Sequence, residues 1–132
     1  MVMQQYFCPK CFRMMSIEQE ICSACKAPVA AMSAREYTEK LIGALEHPLA
    51  DVRMRVIIAM GMRGDAEFAR RLADCALRHP IDVIEGLEVV TRLRKMQQGE
   101  SRQKALQTLV KGHPAAVVRN AARSALAFQP RQ

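Results

Sequence analysis

The sequence contains no tryptophan and only six other aromatic residues among its 132. Sandwiches and barrels draw their many strands from aromatic and β-branched residues, so the composition argues against an architecture of that kind. Long apolar runs are missing too: Val56 to Met62, the longest relevant stretch, falls far short of the ~20 residues that span a bilayer. Met1 to Lys10 has no basic segment followed by an apolar one, so no secretory leader and a cytoplasmic location are expected. There is no Gly-rich phosphate loop, no carboxylate pair with a supporting His and no nucleophile beside a base, which argues against an enzyme. Acidic residues almost vanish near the C-terminus, where residues 92–132 hold nine Lys and Arg against Glu100 alone.

What is present is apolar and aliphatic. Half of the residues are hydrophobic, mostly Leu, Ile, Val, Met and Ala, a composition suited to helices packed on helices in one domain or two very small ones. The net charge of +7 is unevenly spread, +1 over residues 1–40, −2 over 41–91 and +8 over 92–132. A basic third attracts phosphate backbones or acidic partners, although Lys and Arg are also the ordinary solvated face of a helix.

Cys8 and Cys11 form one C-x-x-C pair and Cys22 and Cys25 another, with ten residues between them. Each pair sets two sulfurs on one side of a tight turn, at the separation of neighbouring vertices of a tetrahedron. Thiolates favour zinc; iron accepts the same four ligands, and disulfides would need an oxidising compartment that nothing here indicates. One structural zinc ion is therefore expected, and its four thiolates would bring the net charge from +7 to +5. With every vertex taken by sulfur, no position is left for a substrate. Tyr6, Phe7 and Phe12 are placed beside the ion with Ile17 and Ile21 opposite, and metal binding must supply the folding free energy of so small a unit. Cys75 stands apart in a helical pattern with Phe68, Leu72 and Ala76 and reads as a small buried hydrophobe with no His or cation near it.

Tyr6-Phe-Cys-Pro-Lys-Cys-Phe followed by Ile21-Cys-Ser-Ala-Cys-Lys-Ala-Pro resembles the short zinc ribbons of bacterial proteins over residues 6–29. In that family the residue after the second Cys of each knuckle is usually Gly, because the chain there turns left-handed and sulfur accepts backbone amides; here Phe12 and Lys26 stand at those places.

From Ser33 the sequence repeats. His47-Pro48, His79-Pro80 and His113-Pro114 recur at spacings of 32 and 34 residues. An amphipathic stretch of helical period precedes each (Tyr37, Leu41, Ala44, Leu45; Phe68, Leu72, Cys75, Ala76; Leu106, Leu109, Val110), and a second follows. In the second stretches Val52, Val56, Ala59 and Met60 align with Val83, Leu87, Val90 and Thr91, and with Val118, Ala122, Ala125 and Leu126. Three helix pairs are predicted, each turning at a His-Pro corner where a helix stops and another begins. Ser33 with Glu36 forms a capping box, Gly61 and Gly64 end the second helix, Asp65 caps the third, and Gly99 with Ser101 divides the fourth from the fifth. The three His are read as corner residues, since equivalent positions in stacked repeats form a row and do not converge on one site.

Leu41 to Arg53, Leu-x-x-Ala-Leu-x-His-Pro-x-x-Asp-Val-Arg, is echoed from His113 to Arg119 and resembles HEAT-type repeats, the match running over residues 34–128. The resemblance implies that Asp51, Arg53 and Arg119 take part in pairing between neighbouring repeats; in the middle repeat Ile84 replaces the Arg and the corner is one residue shorter. The expected fold is thus mainly α: an N-terminal zinc ribbon with its linker over residues 1–32, then three antiparallel helix pairs stacked as a short HEAT-like α-solenoid over 33–132. The short linker, carrying Ala, Val and Met, sets the ribbon on or near the first pair.

Such a chain acts through a surface. The first expectation is a non-enzymatic adaptor whose helical face holds a protein partner. The alternative is non-specific nucleic-acid binding, with Arg92, Arg94, Lys95, Arg102, Lys104, Lys111, Arg119 and Arg123 as phosphate or acidic-partner contacts; the basic third offers only Phe128 for stacking. Uncovered apolar ends, with Met54 and Met62 outward, leave the chain a monomer or a homodimer.

Overall fold

A computed structural model of the chain describes residues 5–16, 21–28 and 34–128. Two short strands, β1 (Gln5–Phe7) and β2 (Met14–Ser16), precede six helices: α1 (Ala34–Ala44), α2 (Ala50–Arg63), α3 (Phe68–Arg78), α4 (Val83–Lys95), α5 (Glu100–Gly112) and α6 (Ala116–Ala127). The protein is mainly helical, with its cysteine cluster at the N-terminal end. Among the described residues, no helix is long and apolar enough to cross a membrane.

Each His-Pro falls between two helices, separating α1 from α2, α3 from α4 and α5 from α6. Proline cannot extend the helix before it, having no amide hydrogen to give, and its fixed φ suits the entry to the next. The middle corner is not the shortest, as the sequence alignment had it. α2 and α6 begin two residues after Pro48 and Pro114, α4 three after Pro80. The cause is Asp82, whose side chain accepts the Glu85 amide at 3.0 Å and so fixes the first turn of α4 behind it. This shift moves the inner stripe of α4. Glu85, Gly86, Val89, Val90 and Leu93 are buried, whereas Val83, Leu87 and Thr91, expected there, are half-exposed.

Other helix ends differ from expectation as well. Gly64, at φ +68°, ends α2 in the left-handed region, but Gly61 lies inside the helix. Its lack of a side chain makes room for Arg92, with which a Cβ at position 61 would overlap. Asp65 does not cap α3 through its carboxylate, which faces Arg63 at 3.4 Å; its backbone carbonyl accepts the Phe68 amide. Gly99 does sit at the N-terminal boundary of α5. Ser33, half of the expected capping box, and the division between residues 32 and 33 lie outside the described residues.

By its internal contacts the chain divides within α2 into two compact units, Met1–Ala59 and Met60–Gln132. In the first, Tyr37 and Leu41 of α1, Leu45 just after it, and Val56, Ile57 and Ala59 of α2 are buried at helical spacing. In the second, α3 packs on α4 and α5, α4 on α5 and α6, and α5 on α6, an arrangement consistent with a helical solenoid. Phe68, Leu72, Leu93, Leu106, Leu109, Val118 and Ala122 form its interior, all with no exposure. Fully burying one such large side chain is worth about 1.5–3 kcal/mol.

Candidate metal centre

The two C-x-x-C segments fold alike. In the first, Cys8 donates its amide to Arg13 at 2.9 Å and accepts that of Phe12 at 2.7 Å. In the second, Cys22 donates to Ala27 at 3.0 Å and accepts from Lys26 at 2.8 Å. Closing a turn this tight drives the residue after the second cysteine across to positive φ, 59° at Phe12 and 63° at Lys26. The left-handed turn expected of a knuckle is therefore made, at a cost of roughly 1–2 kcal/mol per residue for a side chain other than glycine. β1 and β2, paired antiparallel with Tyr6 opposite Met15, hold the first knuckle at their tip; an isolated bridge between Ile21 and Pro28 closes the second.

Together the knuckles converge four sulfurs. Cys8 Sγ lies 3.7 Å from Cys25 Sγ and Cys11 Sγ 3.7 Å from Cys22 Sγ, and all four fall within 4.8 Å of one another. A tetrahedron with bonds of about 2.3 Å from zinc to sulfur has edges of about 3.8 Å, so the donor set is compatible with a zinc ion. None of the cysteines is in a disulfide. Cys8 and Cys22 are buried, Cys11 is half-buried and Cys25 exposed, so an ion would enter from the Cys25 side.

Sulfurs this close cannot all ionise without a cation. Burial first, with hydrogen bonds to the neighbouring sulfurs, pushes the Cys11 thiol up to about 12. Backbone hydrogen bonding at Cys25, the largest influence on Cys22, draws that thiol down to about 6. A divalent ion would supply what the thiols need in order to lose their protons.

The small core beside the sulfurs is not quite the one expected. Phe12 is buried, but Ile21 is 58% exposed. Its place is taken by Met15, which packs with Cys8 and Cys22, and Ala27 is buried in the second knuckle. The alternation around β2 was the available signal for Met15. The side chains of Tyr6 and Phe7, and all of Ile17, lie outside the described residues. Arg55 of α2 donates to the Cys11 carbonyl at 3.3 Å, a link between the first knuckle and the helices of the same unit.

Several basic residues of the C-terminal third are engaged within the fold. Arg102 is buried, and its guanidinium donates inward to the carbonyls of Leu93 (3.0 Å), Arg94 (3.3 Å), Ala125 (2.9 Å) and Phe128 (3.1 Å), joining the C-terminal ends of α4 and α6. Burial draws its pKa down. Arg119 donates to His113 and Pro114 carbonyls at 2.8 and 2.7 Å, and Arg53 treats His47 and Pro48 in the same way at 2.8 and 3.1 Å. These two arginines lace their own corners. Arg92 faces Glu88 at 2.9 Å, Lys104 faces Glu100 at 2.8 Å, Arg123 donates to Asn120, and Arg94 lies over the Phe128 ring. Lys95 and Lys111 are exposed.

Cys75 is fully buried, as expected, yet it does have an imidazole nearby. Its sulfur lies 3.9 Å from His79 Nδ1 and 3.8 Å from Glu85 Oε1. The i, i+4 spacing of Cys75 and His79 was readable in the sequence; the approach of Glu85 across the corner was not. Comparison of the chain with protein-family models, with curated proteins and with solved structures finds no match.

Proposed function

We propose that the chain is a non-enzymatic zinc-binding adaptor of the cytoplasm, built as a zinc ribbon followed by three antiparallel, HEAT-like helix pairs. Cys8, Cys11, Cys22 and Cys25 hold one structural zinc ion, and the helical face holds a protein partner. Four protein sulfurs complete the coordination, which makes this metal a folding element and not a reaction centre. Thiolate ligands also call for a reducing compartment.

One observation carries the adaptor reading. Ile81 is 94% exposed and Ile84 74%, three residues apart where the corner between α3 and α4 enters α4. Large apolar side chains grouped on a surface mark protein contacts, and phosphate backbones offer them nothing. Nucleic-acid binding is the weaker reading, because the burial of Arg102 and the lacing of the corner by Arg119 remove two of the charges that it needs.

The test has two arms. Duplex DNA is titrated with the zinc-loaded chain across a salt series, and no binding at micromolar concentration is expected at physiological salt. A partner captured by the wild-type chain is then offered to Ile81→Glu with Ile84→Glu, where at least a tenfold loss of affinity is expected, with helical content unchanged. DNA retention abolished by Arg92→Glu with Arg94→Glu, or a partner indifferent to the isoleucines, would reverse the order of the two readings.

A further inference from the structure

The three His-Pro corners follow two plans. In the outer ones the imidazole Nδ1 accepts the amide two residues on, from Leu49 and from Ala115, each at 3.1 Å. An arginine six residues after the histidine then donates to the His and Pro carbonyls. The middle corner reverses the charge at that same offset: six residues after His79 stands Glu85, not an arginine, and the Ile84 assigned there from the sequence points outward. A carboxylate has no hydrogen to give those carbonyls. It turns instead toward His79 and Cys75.

We propose that Cys75, His79 and Glu85 form a second metal site, for a divalent ion of the zinc class, with three protein ligands and one position left for water. The distances support it. Sulfur to ring nitrogen is 3.9 Å, sulfur to Glu85 Oε1 3.8 Å and ring nitrogen to Glu85 Oε2 3.6 Å. The nitrogen-to-carboxylate separation exceeds the ~2.7–3.2 Å of an N–H···O hydrogen bond. The sulfur distances run slightly above the edges of about 3.3–3.6 Å expected of a tetrahedron with zinc bonds of about 2.0–2.3 Å, and the carboxylate presents one oxygen to each neighbour. The ligand atoms all lie within 4.8 Å of one another, as those of the four-cysteine cluster do.

Burial and charge point the same way. Cys75 has no exposure and the Glu85 side chain 1%, so a thiol and a carboxylate share a dry interior in which an unneutralised charge is costly. One thiolate, one carboxylate and a neutral imidazole sum with a divalent ion to zero. Loading releases the thiol proton to solvent, and the imidazole carries its own proton on Nε2 so that the Nδ1 lone pair meets the ion. His79 Nδ1 lies 2.9 Å from the Cys75 carbonyl, a hydrogen bond that the ion displaces, which sets this site weaker than the four-cysteine one. A mixed sulfur, nitrogen and oxygen donor set suits zinc better than magnesium or calcium. The ligands stand on rigid elements: Cys75 and His79 one helical turn apart at the end of α3, Glu85 in the first turn of α4 with its amide held by Asp82. The His79 side chain, 26% exposed, marks the way in.

The full chain, saturated with zinc at neutral pH and freed of excess, is expected to carry two zinc ions by elemental analysis. His79→Ala, at a partly exposed position, is expected to carry one, and so is the isosteric Glu85→Gln. Cobalt distinguishes the sites: the second equivalent should bring a single-thiolate band far weaker than that of the four-cysteine site, absent in His79→Ala. A wild-type chain that binds one zinc, or variants that still bind two, would overturn the proposal. Loss of an ion in Cys22→Ser but not in His79→Ala upholds the four-cysteine reading alone; the converse upholds only the site at the corner.

Discussion

Among the described residues, the side chains buried in the knuckles are Cys8, Phe12, Met15, Cys22 and Ala27, and two of these five are themselves candidate metal ligands. In α3 alone, Phe68, Ala69, Leu72, Ala73, Cys75 and Ala76 are buried against neighbouring helices. Knuckle and helix bundle thus hold their backbones in place by different means. On the reading proposed above, the first is held mainly by a bound ion, which would contribute most of its stability. The second resembles other packed interiors, in which many small contacts add up. A common fold can therefore lose one part and keep the other.

Metal removal gives the widest separation between the two. A structural zinc contributes about 10–16 kcal/mol to small sites of this kind. A chelator under reducing conditions is expected to collapse the amide NMR dispersion of residues 5–16 and 21–28 while the signals of α3 to α6 persist. Simultaneous loss of both sets would break the comparison. The opposite cut is Phe68→Ala, which empties a fully buried aromatic position and is expected to cost about 3–5 kcal/mol in urea unfolding of the helices. The four-cysteine site should bind its ion as before.

How far these two regions were legible in the sequence follows from the range of their contacts. Cys8, Cys11, Cys22 and Cys25 announce themselves because the turns that assemble them are local. The helices were legible from the 3.6-residue period and from three His-Pro corners, because proline acts on its immediate neighbours. The register of α4 was lost to one short side chain, Asp82, whose capping bond moved the helix start by a residue. Arg102 read as one more surface cation. Its partners Ala125 and Phe128 stand 23 and 26 residues away, and nothing in the pattern of a helix tells which of its arginines will turn inward.

Arg102 also refines the comparison, for it is a polar tie inside the region held by apolar packing. Arg102→Met keeps the length of the stem and removes the donors to the ends of α4 and α6. The Leu93 and Ala125 carbonyls keep only the Met96 and Phe128 amides, and losing the bonds from a charged donor is expected to cost about 1–3 kcal/mol, read as a lower urea midpoint. Acid acts on the same helices through His113. Burial, and secondarily the charge of Arg119, holds this imidazole below its ordinary value of 6.5. The folded chain then carries fewer protons at this site than the unfolded one, so the stability linked to it is complete above 6.5 and falls as pH drops from there toward the lowered value. His113→Gln should show a shallower acid decline in urea midpoint than the wild type.

The smallest effect lies back in the knuckles. Lys26 is exposed, sits at φ 63° and makes its structural contribution through its backbone amide, which Gly supplies equally well. Lys26→Gly removes a strain of roughly 1–2 kcal/mol and gives back about 0.4–1 kcal/mol through the freer unfolded chain. A net gain between zero and about 1.6 kcal/mol is expected, seen as zinc affinity raised by up to about fifteenfold in a chelator competition. At Phe12 the same substitution also deletes a buried ring, so Phe12→Gly should weaken zinc binding although it relieves the same backbone strain. Opposite signs at two positions of matching geometry would separate the turn, which is shared, from the packing, which is not; equal signs would mean that the Phe12 ring contributes nothing to the metal site.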